Sequence, residues 1–103
     1  MMQFRQGDVL IEEIIDIPED SEEEHIDGPI IIAQGEATGH AHVIGDHAPV
    51  GVFHDKETRY LRVGKNVEVT HPEHKAIPLP EGVYRIIRQR EYAPQRQERR
   101  VED

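Results

Sequence analysis

The stretch VGVFHDKETRYLRV, residues 50–63, decides the fold class of this chain. Two runs rich in β-branched and aromatic residues, 50–53 and 59–63, flank five polar residues. This arrangement predicts a β-hairpin with a loop over residues 54–58. Just beyond it, residues 67–71 (VEVTH) alternate apolar and polar side chains with a period of two, which predicts a further strand.

More strands are predicted on both sides of this segment. Short apolar runs at residues 9–11 and 30–33 stand next to turn signals, and a last strand is predicted over residues 83–90. No segment of twelve or more residues has a clean helical period. About seven short strands separated by turns indicate an all-β fold, a small β-barrel or sandwich.

The composition bounds the size of the protein. The chain has 103 residues, 36% of them hydrophobic and 32% charged, and lacks tryptophan. This is enough for one domain, whose core must come from valine, isoleucine and leucine. We expect a single β domain over residues 1–93, with a mobile acidic loop at 16–28, and a polar C-terminal tail at 94–103. A homodimer would cover further apolar surface of so small a domain.

The charge pattern excludes some classes of partner. The formal net charge of −9 argues against non-specific binding to DNA. Acidic residues dominate segment 1–27 and arginines dominate segment 84–103, so we expect the two ends to neutralise each other. The absence of cysteine excludes disulfides and thiolate chemistry. No signal peptide or membrane-spanning run is visible, which predicts a cytoplasmic protein without a membrane partner.

Four of the seven histidines fall into two tight pairs, His40/His42 and His71/His74. Side chains two positions apart on a strand point to the same side, so His40 and His42 would present both imidazoles together. Pro72 breaks strand geometry inside the second pair, and a turn there would bring His71 and His74 together. Imidazole is the most common metal ligand, so the pairs predict a divalent metal ion, zinc or similar, bound by these four histidines.

Charged residues near the pairs extend the candidate site. Arg88 and Arg90 would share one face of the last strand with Tyr84, and arginine suits the recognition of phosphate because it is planar and always charged. Asp46 and Glu73 are candidate carboxylate partners for the histidines. The plainer interpretation of the two arginines is that they form ion pairs with acidic residues across an edge strand.

Three functions remain open at this stage. The first is a metal-binding hydrolase for a phosphate-containing small molecule or nucleotide, with the four histidines, Arg88 and Arg90 as its site. The second is a metal-independent phosphodiesterase, nuclease or cyclic-nucleotide lyase, in which two histidines act as acid and base and an arginine stabilises charge on the phosphate. The third is a non-catalytic ligand-binding or regulatory module.

Several segments resemble a widespread uncharacterised family of small bacterial proteins. They are QGDVL at residues 6–10, GEATGHAH at 35–42, LPEGVY at 79–84 and RQREY at 88–92, together with the second histidine pair. The resemblance covers most of the chain. It implies a self-contained protein and carries over no catalytic residues.

The first histidine pair also resembles the metal motif of the cupins, which are small β-barrels. Gly35 precedes His40-x-His42, and Asp46 stands near the position of a carboxylate ligand. The PLPEG segment at residues 78–82 is similar to the proline-glycine turn of the second cupin motif, although the second histidine pair precedes that turn here. This likeness is one of architecture, and it implies a barrel built around a metal ion.

Overall fold

The computed structural model describes residues 1–34, 41–45 and 48–88. Ten strands lie within these residues, and every pairing between them is antiparallel. They are β1 (Gln3–Gln6), β2 (Val9–Glu13), β3 (Glu22–Glu24), β4 (Ile30–Gln34), β5 (Ala41–Ile44), β6 (Val50–Asp55), β7 (Thr58–Val63), β8 (Val67–Thr70), β9 (Ile77–Leu79) and β10 (Gly82–Arg88).

The strands form two sheets. The larger sheet has the order β1-β2-β10-β7-β6-β3, and the smaller sheet has the order β4-β5-β8-β9. The prediction of an all-β fold is confirmed, and the sandwich alternative is the correct one, since two separate sheets do not make a closed barrel. β10 pairs with β2, so the described part of the arginine-rich segment, up to Arg88, lies beside the acidic segment, and Arg85 bonds Glu12 across this pair.

The predicted hairpin is present, with a shorter turn than expected. β6 and β7 continue to Asp55 and Thr58, which face each other, so only Lys56 and Glu57 lie outside the ladder. Lys56 has a φ of 58°, the left-handed conformation that a two-residue hairpin turn requires. Within segment 16–28, predicted as a loop, the acidic strand β3 pairs with β6, while the mobility of this segment stays a prediction.

The core lies between the two sheets. Val9, Ile11, Leu61, Val69 and Leu79 are all 0% exposed, as expected from the aliphatic composition. Its largest fully buried side chain is the aromatic ring of Tyr84. Burial of such side chains is the main source of stability in a sandwich of this size.

A β-bulge in β4 changes which side chains face inward. The register with β5 shifts between Ile31 and Ala33. In a regular strand Ile32 and Ala33 would point to opposite faces. Because of the bulge both are buried, with 3% and 6% exposure, while Ile31 stays 42% exposed. Ala33 pairs directly with His42 of β5, so the bulge lies beside the first histidine of the site described below.

Candidate histidine site

Three histidine rings meet at one end of the sandwich, and we call His42, His71 and His74 the histidine cluster. The ring centroids are 4.5 Å apart for His42 and His71, 4.5 Å for His71 and His74, and 6.2 Å for His42 and His74. His42 alternates with its neighbours in β5, so it faces the interior and is only 1% exposed. His71 and His74 lie in the connection between β8 and β9, which folds over the buried ring.

Gln6, at the end of β1, fixes the ring of His42. Its amide nitrogen donates hydrogen bonds to the carbonyl oxygens of Val69, at 3.1 Å, and Lys75, at 2.9 Å. Carbonyl oxygens only accept, so the amide oxygen of Gln6 must face His42, where it lies 2.7 Å from Nδ1. Nδ1 therefore donates to Gln6, and the Nε2 atom of neutral His42 carries a lone pair.

The lone pair of His42 faces a carboxylate. The Nε2 atom lies 3.7 Å from Oδ1 of Asp8, which is longer than a hydrogen bond. Neutral imidazole nitrogen and ionised carboxylate oxygen are both acceptors, so no hydrogen bond forms directly between them. A group placed between these atoms would have to donate protons or carry positive charge, as water or a cation does.

The surroundings of His42 keep it neutral. Burial lowers the pKa of His42, and the positive charge that His71, His74 or Arg88 carries when protonated lowers it further, while Asp8 acts in the opposite direction. The net direction is downward from the usual value of 6.5. At neutral pH the Nε2 lone pair is therefore available to accept a proton.

His71 has the complementary arrangement. The backbone N–H of Glu73 donates to Nδ1 of His71 at 3.0 Å. In the neutral ring the proton must then be on Nε2, which makes this atom a donor. The two neighbouring imidazoles thus have opposite hydrogen-bonding roles: Nε2 of His42 accepts a hydrogen bond and the Nε2–H group of His71 donates one.

Gly7 allows the cluster to pack against the turn between β1 and β2. Its φ is +62°, and an added Cβ atom would lie 2.7 Å from Nε2 of His74. Both observations require glycine, since a side chain would be strained in this conformation and would also collide with the ring. The sequence Gln6-Gly7-Asp8 therefore contacts two of the three rings: Gln6 holds His42, Gly7 lies against His74, and Asp8 faces the lone pair of His42.

Arg88 ends β10 beside the histidine cluster. One terminal nitrogen, Nη2, lies 3.6 Å from Oδ2 of Asp8, and the side chain is 19% exposed. Among the described residues Nε and Nη2 of Arg88 are buried and make no hydrogen bond. Guanidinium N–H groups that make no hydrogen bond within the protein can still bind an oxyanion.

The structure brings together most of the residues predicted from the sequence. His42, His71 and His74 converge, and Arg88 is linked to them through Asp8. His40, Arg90 and Asp46 lie outside the described residues, so their predicted roles stay predictions. The sequence analysis missed Gln6 and Asp8 as site residues, although both lie in the QGDVL segment, and Gly7 between them marks a tight turn.

The described residues fit a metal ion only in part. Within ranges 1–34, 41–45 and 48–88, no group of three or more histidine, aspartate or glutamate side chains is arranged to hold one ion. One of the two nitrogens through which His71 could bind a metal, Nδ1, accepts a hydrogen bond from the backbone N–H of Glu73. Nε2 of His42 and Oδ1 of Asp8 remain as two atoms that could both bind one metal ion.

The fold and the site define a small antiparallel β-sandwich protein with a histidine cluster around the buried ring of His42. The chain belongs to the family described as "Domain of unknown function (DUF8820)", whose model matches residues 5–89. Neither a curated protein nor a solved structure matches the chain. No helix in the described part is long and apolar enough to cross a membrane.

Proposed function

We propose that this protein hydrolyses phosphate esters, with His42 and Asp8 activating the attacking water. The observation that carries this proposal is the 3.7 Å separation between Nε2 of His42 and Oδ1 of Asp8, in a ring whose tautomer Gln6 fixes. A water molecule bound by these two acceptors would have both of its protons directed at them and a lone pair left for attack.

The remaining groups match the other needs of the reaction. Arg88, beside Asp8, would bind the phosphate oxygens and stabilise the charge that grows on them. His71, with its proton on Nε2, would donate a hydrogen bond to a phosphate oxygen and keep this proton. His42 keeps its lone pair at neutral pH because its pKa is lowered by burial.

The step balances for a phosphodiester. The water gives one proton to Nε2 of His42 while its oxygen forms a bond to phosphorus. The bond between phosphorus and the leaving oxygen breaks, and this oxygen takes the proton from Nε2 of His42, which is an imidazolium at this point. The products are an alcohol and a phosphate monoester, and His42 is neutral again for the next turnover.

A second candidate is metal-assisted hydrolysis, which the same pair of atoms favours. Ligands of a zinc ion lie about 2.0–2.2 Å from it, so atoms 3.7 Å apart, as in His42 and Asp8, can share one ion. The hydrogen bond from Nδ1 of His42 to Gln6 is the kind of contact that orients metal-binding histidines. The ion would supply a water of lowered pKa, and the protein residues would hold the phosphate and protonate the leaving group.

Hydrolysis of bis(4-nitrophenyl) phosphate at pH 7 tests the proposal. Purified protein without an affinity tag is compared with His42→Asn and His71→Asn, and His25→Asn is the matched control because His25 is exposed and pairs with Asp27. We expect the first two variants to lose roughly 10²–10⁴-fold in rate, as removal of a general base or of a donor to the phosphate oxygens does. The control should keep its full rate.

Circular dichroism and the urea midpoint show whether each variant is folded, and His71→Asn provides a second test if the buried His42→Asn variant fails to fold. Folded His42 and His71 variants as active as the control would contradict the proposal.

Treatment with EDTA separates the two candidate mechanisms. Activity that survives EDTA favours acid–base chemistry alone, whereas a loss of activity that zinc restores favours metal-assisted hydrolysis. Ligand binding without turnover would favour the non-catalytic module.

A further inference from the structure

A groove between the two sheets leads to Arg88. It encloses about 420 Å³ and is lined by Ile31, Ile32 and Ala33 of β4, Glu57 and Arg59 of the β6–β7 hairpin, and Ile86 and Arg88 of β10. Four of these seven residues are aliphatic and three are charged, so the groove has an aliphatic wall beside polar groups. Ala33 pairs with His42 across the β4–β5 ladder, so the groove and the histidine cluster are adjacent.

The bulge in β4 builds one wall of this groove. It turns Ile32 and Ala33 to the same side, while Ile31 remains at the exposed rim. Bulges of this kind are frequent next to active sites, where they redirect side chains. The result is an apolar surface that continues to the end of β10.

The two arginines of the groove differ in what they can still bind. Arg59 donates to both oxygens of Glu24 and to the carbonyl oxygens of Ile31 and Ile32. Four of its five N–H donors are therefore used by the protein itself. Arg88 has two buried nitrogens without hydrogen bonds among the described residues, so it is the cation of the groove that can accept an oxyanion.

The charge around the groove selects against a polyanion. The charge of Arg59 is balanced by Glu24, Glu57 adds a carboxylate to the lining, and the whole chain has a net charge of −9. A nucleic acid strand would bring many phosphates against this surface. A ligand with one phosphate group and an apolar body matches the lining better.

We propose that the groove binds the alcohol portion of a phosphate ester with a compact apolar group, and that Arg88 holds its single phosphate. This inference rests on the proposed function, because it assigns the substrate class of the same site. The apolar group would lie along Ile32, Ala33 and Ile86, and the phosphate would lie beside Asp8 and His42.

Calorimetric titration with phenyl phosphate and with inorganic phosphate tests this assignment. Phenyl phosphate should bind at least about tenfold more tightly, because its ring is removed from water against the aliphatic wall. Ile31→Glu, which puts a carboxylate at the rim, should remove this advantage. Ile15→Glu is the matched control, since Ile15 is also exposed, at 85%, and does not line the groove.

Arg88→Lys should weaken both ligands by about tenfold, because lysine keeps the charge and loses the planar donors. Equal affinity for the two ligands, equal effects of the Ile31 and Ile15 variants, or tighter binding of a ten-nucleotide oligomer would overturn the assignment while leaving His42-dependent hydrolysis intact. Ile31-dependent binding of phenyl phosphate without turnover of any ester would instead support the groove and contradict the proposed hydrolysis.

Discussion

Two polar networks lie in this sandwich, one around Arg59 and one around Arg88, and they differ in how many guanidinium N–H donors form hydrogen bonds within the protein. Around Arg59, the guanidinium bonds both oxygens of Glu24 and two carbonyls of β4, and His54 lies 3.3 Å from Glu24. Around Arg88, the contact with Asp8 is 3.6 Å long and buried nitrogens of the arginine make no hydrogen bond in the described part. Both networks combine arginine, carboxylate and imidazole.

The difference teaches that residue type alone does not identify a site. His54 is 39% exposed beside its carboxylates, whereas the side chain of His42 is 1% exposed and has its tautomer fixed by a buried glutamine. A network in which most of the guanidinium donors are used stabilises the fold. A network in which buried guanidinium donors make no hydrogen bond among the described residues has capacity left for a ligand.

The largest expected effect on stability is a difference between substitutions of Arg59 and Arg88 in the free energy of unfolding. Arg59→Met should lower the free energy of unfolding by about 2–4 kcal/mol, because it leaves Glu24 and two carbonyl oxygens without their charged donor. Arg88→Met should cost about 1 kcal/mol, since it removes no hydrogen bond among the described residues. Urea denaturation of both variants measures the difference. An equal or larger loss for Arg88→Met would mean that Arg88 is structural as well.

A smaller effect sharpens the role of the turn between β1 and β2. Gly7→Ala should lower the free energy of unfolding by about 1–2 kcal/mol, because the backbone is left-handed and the new Cβ would collide with His74. Gly45→Ala is the control, since an added Cβ there meets no atom within 4 Å. Thermal denaturation compares the two variants. The interpretation fails if they are equally stable.

The smallest effect is the dependence of stability on pH. The lowered pKa of His42 means that the unfolded chain takes up a proton near pH 6.5, where the folded protein does not. Stability from this group is therefore complete above pH 6.5 and decreases as the pH falls below it, by at most about 1.4 kcal/mol per pH unit.

Urea denaturation between pH 5 and 8 measures this slope in the native protein, in His42→Gln and in His54→Gln. The slope should become flatter in His42→Gln alone, because only that variant removes the buried imidazole. An unchanged slope in His42→Gln would show that the ring is not held neutral in the folded protein.

Local patterns were sufficient for much of the fold. The runs rich in β-branched and aromatic residues in segment 50–63 correctly predicted β6 and β7. The alternation in residues 67–71 correctly predicted β8, because a period of two has few other solutions when one face is buried. The acidic strand β3 was missed because three consecutive glutamates have low strand propensity, and its formation depends on pairing with β6. The choice between barrel and sandwich depended on which strands pair, which no local pattern contains.

The candidate site was also predicted from local sequence patterns only in part. The spacing of His71 and His74 around Pro72 indicated that their rings would meet, and the rings do lie with centroids 4.5 Å apart. The partners of His42 could not be found in this way. Gln6 and Asp8 are more than thirty residues away in the chain and reach His42 only because β1 and β5 come together at one end of the sandwich.

The sequence by itself determined the strand-rich fold and the residue types of the site, since both follow from periodicity and composition. Only the tertiary structure decided what those residues can do. It buried His42, fixed its proton on Nδ1 through Gln6, and left the bonding capacity of Arg88 unused while that of Arg59 was consumed. The physical reason is that burial and hydrogen-bond partners come from strands distant in sequence, and these set protonation and available donors.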